Sequence, residues 1–136
     1  MERTLVICKP DAVERGLVGE LVGRLERKGL RLVAAQLRTI DPETAGQHYE
    51  EHRDKPFYGD LVSFITRSPS MVLVVEGPEE TWSVVRTLMG ATNPKQAAPG
   101  TMRGDLGILM TENLVHGSDG PESAKREIGI FFPDLG

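Results

Sequence analysis

The sequence is poor in cysteine, in long apolar runs and in excess charge of either sign, and each shortage removes a class of protein. A single cysteine, Cys8, has no partner for a disulfide within the chain, so the fold must stand on its core. Its place in the run Thr4-Leu5-Val6-Ile7-Cys8 predicts a buried strand residue in a reducing compartment. Zinc-ribbon spacing is excluded by the same count. The apolar run near the start is too short for a signal peptide's apolar segment or for a membrane span, so a cytoplasmic location is expected. Sixteen basic against twenty acidic side chains give a formal charge of -4, which disfavours a broad basic face for nucleic acid but permits a local basic pocket. Low-complexity tracts and internal repeats are missing as well. Neither Gly-x-x-x-x-Gly-Lys-Ser/Thr nor Gly-x-Gly-x-x-Gly occurs, so any phosphate would have to be held by side chains.

What is present reads as one domain over residues 1–136, long enough to bury roughly two thirds of the surface of its unfolded chain. Residues 3–9, rich in branched side chains and stopped by Pro10, predict a buried central strand with Lys9 at its C-terminal lip. Asp11 and Glu14 have the spacing of a capping-box-like pair across the following turn. Val18, Leu21, Val22 and Leu25 line one face of a helix that Gly29 can end. A second strand is expected over 30–39, and Asp41-Pro42 starts a helix running to about His52. After Lys55-Pro56, Phe57, Leu61, Phe64 and Ile65 form the apolar face of another helix, and 70–77 reads as a second central strand. Pro78, Glu79 and Glu80 open a helix whose Trp82, Val85 and Met89 point to the core. An irregular connection over 93–104, a strand at 113–116 and a helix from Pro121 to Ile130 complete the chain. This order predicts an α+β fold: a ferredoxin-like split βαβ sandwich with a four-stranded antiparallel sheet, helices on one face and a helical insertion.

His116 stands out because it closes the apolar run Asn113-Leu114-Val115 and precedes the turn-forming cluster Gly117-Ser118-Asp119-Gly120-Pro121. A strand end holds a side chain on rigid backbone while leaving one side open, which suits a reacting group as well as a structural one. Lys9, Arg86 and Arg103 fall at comparable places near strand ends. Each alone reads as a solvated charge; together with His116 they suggest a phosphate site, because lysine supplies a point charge and arginine a planar fork of donors.

The stretches NLVHGSD, KPDAVERGLVGE, GATNPKQAAPGTMRGD and HYEEHRDKPFYGDLV, in their chain order, closely resemble nucleoside diphosphate kinase over essentially the whole sequence. The resemblance implies a phosphotransferase that moves the γ-phosphate of ATP, or another nucleoside triphosphate, to a nucleoside diphosphate in a ping-pong reaction. His116 would be the nucleophile, Glu127 would orient it, and Ser118 would touch Glu127. Tyr49 would touch Lys9. For the nucleotide, Phe57 would stack on the base with Leu61 beside it, Arg86, Thr92 and Arg103 would hold phosphate, and Asn113 with Lys9 would reach the ribose hydroxyl. Lys9 and Arg103 are expected to act on turnover far more than on folding. Mg²⁺, held by phosphates and water rather than by a protein cage, is the implied cofactor. A homo-oligomer, hexamer or tetramer built from dimers, is implied too, although the short tail after Glu127 departs from longer members and leaves the assembly open.

Two other readings compete. His48-Tyr49-Glu50-Glu51-His52 formally fits the inverted zinc-protease pattern His-x-x-Glu-His, but no further ligand is identifiable. A non-catalytic nucleotide sensor or phosphohistidine relay would need the pocket or the histidine without turnover.

Overall fold

The computed structural model describes residues 1–135. Strands β1 (Glu2–Cys8), β2 (Arg31–Arg38), β3 (Ser70–Gly77) and β4 (Val115–Gly117) form one antiparallel sheet in the order β2-β3-β1-β4. The helices are α1 (Pro10–Glu14), α2 (Val18–Arg27), α3 (Pro42–His48), α4 (Tyr58–Thr66), α5 (Thr81–Met89), α6 (Met102–Leu106) and α7 (Pro121–Phe131). This is the expected α+β sandwich, with α3 and α4 inserted between β2 and β3. No helix among the described residues is long and apolar enough to cross a membrane.

Alternation along β1 sends its side chains into two cores. Val6 and Cys8 pack with Leu21 and Leu25 of α2, Leu73 and Val75 of β3, and Val85 and Met89 of α5. Leu5 and Ile7 face the other way, toward Ile40, Ala45 of α3, Ile65 of α4, Val72, Val74 and Phe131 of α7. Helices therefore cover both faces of the sheet, not one. The reason was present in the unbroken apolar runs of β1 and β3, since a strand without polar alternation must be buried on both sides. Each fully buried Leu or Ile contributes on the order of 2 kcal/mol to that packing.

Several boundaries move. α3 ends at His48 because Tyr49 leaves helical geometry (φ -98°, ψ 22°), and Glu50–His52 form a separate 3-10 turn. His48 and His52 thus share no helical face, which removes the inverted zinc-protease reading. α5 starts at Thr81, after Glu80 takes a left-handed φ of 65°, and Trp82 is only half-buried. On α4 only Ile65 of the expected face is buried, while Phe57 is 46% exposed. The connection over 93–104 is not wholly irregular: Thr101 caps α6 by accepting from the Gly104 N–H at 3.0 Å. The strand expected at 113–116 lies at 115–117, which puts His116 in its middle, opposite Ile7.

Candidate active site

β4 reaches His116 through a backbone conformation that only a tightly braced turn sustains. Leu114 is fully buried and has φ 75°, a left-handed value that costs a residue with a side chain roughly 1–3 kcal/mol. The bracing is explicit. The Leu114 N–H donates to Asp11 Oδ2 at 3.0 Å, and the Leu114 carbonyl accepts from the Lys9 N–H at 2.8 Å. Asp11 is therefore no capping-box residue: it is buried in α1, and Glu14 instead accepts from Arg67 and Ser68. Arg103, on α6 and 5% exposed, donates from Nε to Asn113 O (3.1 Å), from Nη1 to Gly90 O (3.1 Å) and from Nη2 to Val115 O (2.6 Å). On the far side Gly117 lets α5 approach, since a Cβ there would meet Met89 Sδ at 2.6 Å.

The turn delivers a three-membered chain of side chains. His116 Nε2 lies 3.0 Å from Glu127 Oε1, and Ser118 Oγ donates to the same oxygen at 2.6 Å. Burial alone would raise the Glu127 carboxyl, but the His116 and Ser118 bonds outweigh it and hold it at about 2. An ionised carboxylate only accepts, so Nε2 of His116 must carry the proton. In the neutral ring the lone pair then resides on Nδ1.

His116 lines a cavity of about 150 Å³ together with His48, Tyr49, Arg86, Asp119 and Glu127, among others. Arg86, on α5, donates from Nη1 to Gly117 O at 3.0 Å. His48 stands edge-on to His116, with ring centroids 4.7 Å apart, and burial followed by the proximity of His116 pushes it down to about 3. Tyr49 stacks obliquely on His48 at 4.7 Å and is pushed up to about 12 by burial and by Glu127. A larger cavity of about 460 Å³ lies elsewhere, between the start of β1 and α7, and is lined by no histidine and by none of the expected site residues.

The remaining expected residues fall into two sets, one around Lys9 and one at the start of α4. Lys9 Nζ donates to Asn113 Oδ1 at 2.9 Å, and Asn113 Nδ2 donates to the Thr92 carbonyl at 3.0 Å. Lys9 is lowered to about 8, mainly by burial and then by Arg103, with Asp11 opposing. Its side-chain partner is Asn113; Tyr49 keeps the company of His48 and His52. Phe57 leads into α4 with its ring 5.6 Å from His52, and Leu61, half-buried, lies one turn on. Thr92 is exposed. Sequence reasoning assigned no site role to Asp11, whose importance is visible only once Leu114 is seen to need a buried acceptor, and saw His48 only through its mistaken pairing with His52.

The family profile described as nucleoside diphosphate kinase matches residues 2–135. The chain belongs to the nucleoside diphosphate kinase family. It is 60% identical over 135 residues to a nucleoside diphosphate kinase of Frankia casuarinae, covering 99% of this chain and 98% of that one. It is 58% identical to a nucleoside diphosphate kinase of Archaeoglobus fulgidus over 98% of this chain and 88% of that one. The halophilic nucleoside diphosphate kinase from Halobacterium salinarum, solved in complex with CDP, is 52% identical and superimposes with a TM-score of 0.93, over 98% of this chain and 89% of that chain. Membership makes the chain a phosphotransferase, and nucleoside diphosphate kinase relatives share its sheet and helix arrangement nearly from end to end.

Proposed function

We propose that the protein transfers the γ-phosphate of a nucleoside triphosphate to a nucleoside diphosphate through a phosphohistidine formed on Nδ1 of His116. The observation that carries this reading is the acceptor-only Glu127 carboxylate, which takes the N–H of Nε2 and leaves the nucleophilic lone pair on the other nitrogen. As Nδ1 bonds to phosphorus the ring becomes cationic, and the carboxylate 3.0 Å away stabilises that charge. Ser118 keeps the carboxylate in place. The nucleoside diphosphate leaves, a second one enters, and its terminal oxygen takes the phosphoryl group back from nitrogen.

Because phosphoryl transfer has a loose transition state, positioning and charge stabilisation supply most of the acceleration. Arg86 is the cation on the wall of the His116 cavity and is the residue to meet the moving phosphate. Lys9 and Asn113, already bonded to each other, form a donor pair suited to a sugar hydroxyl beside it. Thr92 lies next to that pair, and Phe57 offers an exposed aromatic face for a base of any kind, with half-buried Leu61 one helical turn on. The two Arg103 N–H groups not spent on carbonyls are available to phosphate oxygen. Tyr49 forms part of the cavity wall.

Mg²⁺ fits the same reading as a companion of the nucleotide. It prefers oxygen donors and keeps water; the cavity supplies the Glu51 and Asp119 carboxylates near His116 but no oxygen cage. When bound it would neutralise phosphate charge. The reading extends to a single-domain protein acting in the cytoplasm as a homo-oligomer, hexamer or tetramer built from dimers. Ile108, Leu109 and Met110 support self-association, because three consecutive apolar side chains are 66%, 51% and 59% exposed.

Initial rates with ATP and a nucleoside diphosphate as varied substrates test the proposal. Parallel double-reciprocal lines are expected, with activity abolished in His116→Ala. Intersecting lines, or turnover by that variant at a comparable rate, would sink it.

A further inference from the structure

We propose that His48, His116 and Glu127 form a site for a borderline transition-metal ion such as Zn²⁺, whose occupation switches the reactive nitrogen of His116 off. One ligating atom from each of the three residues lies within 4.8 Å of the others. His48 is 4% exposed, and its Nδ1 is buried without any hydrogen-bond partner, 4.0 Å from Glu127 Oε2. Buried polar atoms are ordinarily satisfied, and a metal ion held between His48 Nδ1, the Glu127 carboxylate and the His116 ring would satisfy this one. Ser118 Oγ, 2.6 Å from Glu127 Oε1, already orients the carboxylate as an outer partner of a metal site does.

The donor set selects the metal. Two imidazoles and one carboxylate suit Zn²⁺ or Co²⁺ and not Mg²⁺, which demands oxygen, so the site is chemically separate from the ion that travels with the nucleotide. Ligand atoms around a tetrahedral zinc stand about 3.3 Å apart, given bonds of about 2.0 Å. His116 Nε2 and Glu127 Oε1 are already near that spacing at 3.0 Å, so assembly asks chiefly for a small swing of His48. The fourth position opens onto the cavity of about 150 Å³ and would be filled by water.

Inhibition follows from proton placement and rests on the proposed role of His116. Coordination at Nε2 displaces the proton that His116 donates to Glu127; the neutral ring then carries its single proton on Nδ1. The nitrogen that should attack phosphorus has lost its lone pair.

Metal-free protein, without nucleotide, should bind Zn²⁺ with one ion per chain in calorimetry, and Co²⁺ in its place should give the visible absorption of a tetrahedral centre. In nitrogen-15 spectra Zn²⁺ should shift the ring nitrogens of His48 and His116 and leave His52, the third histidine of the chain, as an internal control. His48→Gln, checked for folding by circular dichroism, should bind at least tenfold more weakly. With Mg·ATP, Zn²⁺ at saturation should slow phosphorylation of His116 at least tenfold in the wild type. The same Zn²⁺ should change the variant by less than twofold relative to its own zinc-free rate. No stoichiometric binding, shifts confined to His52, or equal binding by His48→Gln would overturn the site. Binding without loss of phosphorylation would overturn the switch. Failure of metal-free protein to become phosphorylated would instead strike the proposed function, while calorimetry and the histidine spectra would still decide the metal site.

Discussion

Arg103→Ala should unfold the protein more readily as well as slow it, and the size of the effect follows from three acceptors. The guanidinium, 5% exposed, satisfies Asn113 O, Gly90 O and Val115 O. Hydrogen bonds from a charged donor contribute roughly 1.5–3 kcal/mol each, and the truncation would leave buried carbonyls unmatched. Against this stand the burial of the charge and repulsion from Arg86, the two causes that lower Arg103 to about 10. Removing the side chain relieves both, so the net loss should be about 3–5 kcal/mol rather than the simple sum. For a domain of this length that is a fall of roughly 10–15 °C in Tm. Scanning calorimetry at fixed protein concentration measures it, with urea unfolding as a second route to the same free energy. Arg103→Lys keeps the charge but not the planar fork, and should recover less than half of the loss. A Tm within about 2 °C of wild type for Arg103→Ala would refute the reasoning and restore the simpler expectation that this arginine serves phosphate alone.

Lys9, lowered to about 8, should lose its charge as pH rises through that value, so kcat/KM should fall above pH 8, and Lys9→Arg should move the fall to higher pH. Between about 8 and the unfolded value of 10.5 the unfolded chain binds the extra proton, so this group's contribution to stability should rise over the window in which activity declines; parallel declines would contradict the assignment. Asp11→Ala orphans the buried Leu114 N–H and releases a left-handed turn, and should cost roughly 2–3 kcal/mol in urea unfolding with a loss of kcat larger than the change in KM; a change in KM alone would argue against a positioning role. Nucleotides lacking the 3′-hydroxyl should bind with similar affinity but phosphorylate His116 at least about a hundredfold more slowly in single-turnover measurements, and equal rates would contradict the placement of the Lys9–Asn113 pair.

Much of the fold was legible because its signals are local. The apolar runs of β1 and β3, the Asp41-Pro42 start of α3 and the spacing of Val18, Leu21, Val22 and Leu25 each dictate an element without reference to the rest of the chain. The expected layering, with helices on one face, fails because the two central strands are apolar on both sides and need cover on both. At the site, His116 was visible as a histidine at a strand–turn junction, and the resemblance supplied Glu127, which lies one helix away and whose bond to it no spacing rule gives. Three features were beyond reach of the sequence. Leu114 takes a left-handed conformation without being glycine, and Asp11 meets it from a distance of 103 residues. Arg103 looks like any loop cation until the backbone carbonyls around it are placed. His48 seemed paired with His52 because a helix was assumed to continue through Tyr49; once the helix ends there, its ring turns to His116.

The most direct measurement of the central claim is the phosphorus–nitrogen coupling in nitrogen-15-labelled protein phosphorylated by ATP alone. The account predicts one phosphate per chain, labile in acid and stable in alkali, on Nδ1 of His116, with Nε2 still protonated and donating to Glu127. Phosphate on Nε2, on a serine, or on either other histidine would contradict it.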